Sequence, residues 1–309
     1  MHARNGKRKP RKKKSRKRLA YGVIAVACIF AFFLVYSSLH SSSPKVAIVD
    51  HLSFFPEQRN PTFVDACKNI LETSGLTWAY HKGGEVTVNF YRNLPSCGAS
   101  LIILRVHSAI MKTEKGIISI LGLFTSERYS VEAAKKYRED ILDDRLVRAF
   151  FEEDEEYFGI VPKFVEKSMK GEFKDTIVVM MGCEGIGYIN TSTGARVMYT
   201  DMADAFINKG AKVYISWDGP VGIDHTDQAT VQLLKSLILH NRTIKRAVTE
   251  TMEIVDKDPT YNSTLHYYPK TAEVGNYTIP NPKSNLIMNV IYTSLTAEAL
   301  TRTKYITLG

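Results

Sequence analysis

The chain has 309 residues, 44% of them hydrophobic and 24% charged, enough for one sizeable domain with appendages. Its net charge of +9 sits at the start: residues 1–18 hold eleven Lys and Arg and no acid, and the remainder balances 30 basic against 32 acidic residues. A body this close to neutral offers no nucleic-acid surface, so the basic tail is read as a cytoplasmic topology signal near anionic lipid.

Leu19 to Leu39 is apolar and uncharged. About 20 such residues span a bilayer core, and the stretch exceeds the usual h-region of a signal peptide, about 7–15 residues. It is predicted to be one uncleaved transmembrane helix, with residues 45 onward extracytoplasmic. Four Asn-x-Ser/Thr sequons, at Asn190, Asn241, Asn262 and Asn276, fit that side of the membrane. Residues 40–44 form a linker, 45–257 an α/β domain, and 258–309 an extension packed on it.

Lys45–Asp50 reads as the first strand, and Pro61 opens a helix that runs to about Ser74 and stops at Gly75. Leu76–His81 is a second strand, Val86–Arg92 a short helix, and Ser100–Val106 a third strand ending on His107. Gly116–Thr125 suggests a hairpin or arm, Ser130–Phe151 a helix, and Glu152–Glu156 a solvated acidic face or loop. Lys163–Met169 is helical, and Thr176–Met181 is an unbroken apolar and β-branched strand ending near Cys183, between Gly182 and Gly185. A helix over Asp201–Lys209 precedes the strand Ala211–Trp217 and the turn Asp218-Gly219-Pro220. Helices over Thr226–Leu239 and Thr243–Val255 follow, then a tail of hairpins and loops in which Leu286–Leu300 fits either helix or strand. Cys67 and Cys97 allow a disulfide, though Cys67 shares a helix face with Phe63, Ile70 and Leu71, which suits a buried free thiol.

Alternating strands and helices imply a mostly parallel sheet, and open α/β sheets bind ligands beyond their strands' C-terminal ends. His107 and Cys183 both stand at such ends, so a thiol–imidazole pair across one crevice is the expected site.

Leu-Ile-Ile-Leu-Arg-Val-His107-Ser108, Ile-Val-Val-Met-Met-Gly-Cys183-Glu-Gly185 and the later Trp217-Asp218-Gly-Pro resemble motifs of the clan CD cysteine peptidases. That group includes caspases, gingipains, legumain, separase and CHAT-domain proteins. The resemblance covers about residues 45–255. It implies a caspase-like three-layer α/β sandwich, preceded here by the transmembrane helix, and a cysteine endopeptidase acting on a peptide or protein substrate without metal or cofactor. Catalysis would fall to His107 and Cys183, with the N–H groups of Cys183 and Ser108 as the oxyanion hole. An imidazolium partner would lower the thiol's pKa. The families place Gly where this chain has Ser108; serine keeps the N–H but fits poorly if the turn needs positive φ. By resemblance to separase, Asp218 would line a pocket for a basic P1 side chain, with Trp217 as its apolar wall. The plainer readings are a structural thiol, a strand-end histidine and a turn-forming aspartate. An inactive surface module of the same fold is the alternative function.

Overall fold

The computed structural model describes residues 45–113, 116–152, 155–190 and 196–279. The expected membrane helix at Leu19–Leu39 and the segment Leu286–Leu300 lie outside them. Among the described residues, no helix is long and apolar enough to cross a membrane.

The elements in order are β1 (Lys45–Asp50), α1 (Pro61–Thr73), β2 (Thr77–Lys82), α2 (Val88–Asn93), β3 (Leu101–Arg105), β4 (Ser108–Thr113) and β5 (Gly116–Arg128). Next come α3 (Val131–Lys136), α4 (Arg138–Leu142), β6 (Leu146–Glu152), β7 (Glu155–Ile160), α5 (Pro162–Lys167) and β8 (Thr176–Met180). The chain continues through β9 (Gly187–Asn190), β10 (Arg196–Tyr199), α6 (Asp201–Asn208), β11 (Ala211–Trp217), α7 (Ile223–Leu234), α8 (Ile244–Val255), β12 (Leu265–Tyr268) and α9 (Ala272–Gly275).

A six-stranded sheet in the order β12-β11-β8-β3-β1-β2 carries the fold. Its pairings are parallel except that of β12 with β11. Both β3 and β8 are buried along their whole length, as their apolar and β-branched runs require, with Arg105 the one charged side chain in them. The period-two alternation of strands splits the core in two. Ile48, Leu101, Ile103, Val179 and Ile215 pack with Phe63, Cys67 and Leu71 of α1 and with helices α7 and α8. Val49, Ile102, Leu104, Val178 and Tyr214 face the other way, toward Phe164 of α5, Phe206 of α6 and the small sheet. The architecture is therefore α/β with a mostly parallel sheet between two layers.

The small sheet, ordered β4-β5-β7-β6, corrects one expectation. Gly116–Thr125 is a single strand, the β5 arm of a hairpin whose other arm is β4. Ser130–Phe151, however, is helical only as far as Leu142 and then becomes β6. Asp144 takes φ 51°, which ends the helical path, and Val147 and Ala149 face β7 in an antiparallel pair. The described acids of the run stand on a partly solvated strand face, one of the two expected placements. Glu155 pairs with Arg128, and Glu156 with Arg148 across the β6–β7 hairpin. Farther on, Leu265–Tyr268 joins the main sheet as its edge strand, so the described part of the expected extension is built into the domain. Cys67 and Cys97 are free thiols, and Cys67 is buried.

Candidate functional site

The site begins with register. β3 and β8 are neighbours, and Leu104 pairs with Met180. His107 and Cys183 each lie three residues beyond that pair, so the two chain ends emerge side by side. The Met181 N–H donates to the Leu104 carbonyl at 2.9 Å, and the Ser108 hydroxyl donates to the Cys183 carbonyl at 2.6 Å. Glycine at 182 permits this approach. A Cβ there would stand 2.4 Å from Ser108 Oγ and 2.6 Å from the Val106 carbonyl oxygen. Beyond it, Glu184 turns with φ 59° and donates its N–H to the Gly219 carbonyl, while Ile186 donates to Trp217. The Cys183 turn is thereby pinned between the ends of β3 and β11.

The two reactive groups have separate partners. Cys183 Sγ donates to the Val221 carbonyl at 3.9 Å. Burial pushes its pKa up, and the charges of Glu184 and Asp258 add to that. His107 Nε2 lies 2.7 Å from Gln58 Oε1. With the amide oxygen facing it, Nε2 carries the proton and donates, and Nδ1 keeps its lone pair. The ring stands among Phe151, Phe55, His51 and Phe124 at centroid distances of 4.8, 5.7, 5.9 and 6.0 Å. Burial, then the Arg105 guanidinium, lower its pKa to about 4. The resting pair is thus a neutral thiol and a neutral imidazole. The expected thiol depression by an imidazolium partner is absent from this state, because burial disfavours both charges.

Ser108 is well accommodated. The described non-glycine residues with positive φ are Asp144, Asp175, Glu184, Asn241, Asp256 and Asn262, so serine at 108 carries no left-handed strain. Trp217 and Asp218 have structural partners. Trp217 is 1% exposed, and its indole N–H donates to Thr226 Oγ1. The Asp218 carboxylate accepts the Thr264 N–H at 2.7 Å and pairs with His266 at 3.1 Å, which ties β11 to β12. The plainer reading of Asp218 accounts for its geometry, and the geometry does not bring Trp217 to a pocket wall.

Three supporting residues escaped the sequence reading. Arg105 is 0% exposed. It clamps Asp227 through Nε at 2.7 Å and Nη2 at 2.9 Å, and Asp50 through Nη1 at 2.9 Å. A lone arginine in an apolar strand was the available signal, since a buried charge demands a counterion. The same guanidinium donates to the Gln58 carbonyl at 3.0 Å, so the ion cluster anchors the residue that orients His107. Gln58 and His51 had no such signal. Gln58 meets His107 across 49 positions of sequence.

A crevice of about 480 Å³ opens beside this cluster, lined by Glu57, Gln58, Arg59, Arg105, Ile223 and Asp224. A larger groove of about 890 Å³ runs past Ser53, Tyr80, Lys82 and Glu85 beside β2, and neither cavity is lined by His107 or Cys183. Among the described residues, no group of three or more His, Cys, Asp or Glu side chains could hold a metal.

No protein-family model matches this chain, and none of the curated proteins compared with it is similar in sequence.

Proposed function

We propose that the chain is a cysteine endopeptidase of the caspase-like class, held by one N-terminal membrane helix with residues 45 onward outside the cytoplasm. The observation that carries the reading is the pairing of Leu104 with Met180, which sets His107 and Cys183 at the ends of adjacent parallel strands. The sheet with packed layers on both faces supports the fold assignment. The basic tail and Leu19–Leu39 support the anchor.

In this scheme His107 takes the thiol proton as sulfur attacks the scissile carbonyl carbon. The oxyanion accepts from the N–H groups of Cys183 and Ser108. The intermediate then collapses to a thioester, the amine leaves with the proton from His107, and water hydrolyses the thioester. Substrate must draw His107 and Cys183 together, since each rests on another partner. Asp218 is committed to Thr264 and His266, so the basic-P1 part of the reading rests on the resemblance alone.

The second reading is an inactive surface module of the same fold, favoured by those same separate partners. The test is a panel of peptide-based covalent thiol probes, led by one with arginine at P1, applied to the full chain beside Cys183→Ala and His107→Ala. Labelling at Cys183 that depends on His107 supports the peptidase. A folded chain that no probe in the panel labels supports the module.

A further inference from the structure

Three of the sequons lie wholly among the described residues: Asn241-Arg-Thr243, Asn262-Ser-Thr264 and Asn276-Tyr-Thr278. Each of these asparagines is exposed and stands outside a helix or strand. Asn60, Asn93 and Asn208, which belong to no sequon, spend their side chains inside the fold. Asn60 caps α1 and donates to Asp227, Asn93 donates to the Asn89 carbonyl, and Asn208 donates to Glu166. A turn-forming asparagine is exposed too, so what matters is the structural use of both ends of each sequon.

Local structure accounts for the first one fully. Asn241 takes φ 49°, a left-handed conformation that favours asparagine, and Thr243 caps α8 by accepting the Arg246 N–H. It accounts for half of the second. Asn262 takes φ 58°, but only the Thr264 backbone is engaged, with Asp218, and the Thr264 hydroxyl makes no hydrogen bond to the described residues. The third is left without a structural use. Asn276 closes α9 with φ −92° and ψ −2°, ordinary right-handed backbone. Neither its side-chain amide nor the Thr278 hydroxyl makes a hydrogen bond to the described residues.

We propose that Asn276 and Asn262 carry N-linked glycans, an inference that rests on reading residues 45 onward as outside the cytoplasm. The donor is an oligosaccharide on a polyprenyl phosphate carrier, delivered by a membrane oligosaccharyltransferase. The side-chain amide nitrogen bonds to the anomeric carbon, the sugar–phosphate C–O bond breaks, and the amide loses one proton as the carrier phosphate leaves. The threonine two positions on completes the acceptor, and an exposed turn leaves room for a bulky, solvated sugar. The two sites occupy opposite ends of the main sheet. Asn262 belongs to the Cys183 end, where Asp258 accepts the Gly222 N–H and Ser263 donates to the Pro220 carbonyl. Asn276 belongs to the other, where Glu273 of α9 pairs with Lys212 near the start of β11.

The test maps glycopeptides by mass spectrometry on the full chain isolated from its native membranes. Asn262 and Asn276 should each carry a glycan. Asn69 and Asn89, exposed but without a hydroxyl residue two positions on, should be bare. Thr278→Ala should strip Asn276 and leave Asn262 occupied. A bare Asn262 or Asn276 overturns that site, and a glycan on Asn241 alone overturns the choice among the three. Sidedness is read separately, with a membrane-impermeant amine reagent on sealed vesicles of one orientation. It should label the lysines of residues 1–18 or those of the body, never both. If it labels only one set and both asparagines are bare, the glycan sites fail alone; if it labels both sets, the outward placement falls and the sites fall with it.

Discussion

The buried histidines make the acid limb of stability a direct test of the site. Free histidine titrates near 6.5, whereas folded His107 titrates at about 4 and His51 at about 3. Both values are depressed, so between them and 6.5 the unfolded chain binds more protons than the folded one. Stability is then fully present above about pH 6.5 and is lost as pH falls toward the folded values. Each histidine contributes about 1.4 kcal/mol per pH unit in that window. From pH 6.5 to about 4, that is roughly 3 kcal/mol apiece, a large share of a typical total of about 5–15 kcal/mol. His51→Phe removes one share. Its stability advantage over the wild type should therefore widen by about 1.4 kcal/mol for each unit of acidification below pH 6.5. Urea midpoints at fixed pH, with matched m-values, measure this. Parallel wild-type and variant curves from about pH 6.5 to 4.5 would refute the reasoning, because His51 would then titrate as if exposed.

Arg105→Met leaves Asp50 and Asp227 buried without their cation and should cost about 3–5 kcal/mol in urea unfolding, as removal of one partner of a buried pair does. Gly182→Ala forces a methyl group against Ser108 Oγ and the Val106 carbonyl; it should lower the melting temperature and change Cys183 alkylation, whereas an unchanged rate would separate the thiol from this junction. Asp218→Asn should loosen the β11–β12 link by about 1–2 kcal/mol without a selective loss of arginine-probe labelling, and a selective loss would restore Asp218 as a specificity residue. Gln58→Glu places a carboxylate on His107 Nε2 and should raise the imidazole pKa above its value of about 4, while Gln58→Leu should not; ¹⁵N-detected titration of the ring reads both.

The parts of the fold legible in the sequence are those whose burial is two-sided. Ser100–Val106 and Thr176–Met181 are continuous apolar runs because helices or the small sheet cover each face, and their ends locate His107 and Cys183 without long-range information. The stretch after Ser130 was less legible. Val131–Leu142 is helical, but Leu146–Glu152 is a strand whose identity depends on pairing with β7, and Arg148 suits a helix surface as well as a cross-strand partner for Glu156. Leu265–Tyr268 is a four-residue edge strand fixed by its register against Tyr214–Trp217. Asp218 reads as either a turn former or a pocket acid from its neighbours; the distant Thr264 and His266 engage it structurally.

The supporting cluster bears on how such a site is held. Arg105 is fixed by two carboxylates, donates to the backbone of Gln58, and Gln58 orients the imidazole through its side chain. A buried ion cluster is a poor source of stability against an apolar replacement, and the geometry it imposes is what an apolar replacement would lose. Here it fixes the loop between β1 and α1 over the strand ends. Without it, the Gln58 carbonyl would lose its donor and only the Gln58 N–H to Phe55 would hold the backbone from which the side chain reaches Nε2. Dryness has the opposite electrostatic effect, since it disfavours both the thiolate and the imidazolium. A site so arranged holds its base in place while keeping the charged pair out of the resting state. Proton transfer then becomes favourable when a bound carbonyl supplies the electrophile and its oxyanion meets the N–H donors. On this account, substrate-like probes should outpace iodoacetamide at Cys183 by far more than they do at Cys97, because only the Cys183 reaction recruits the ordered base.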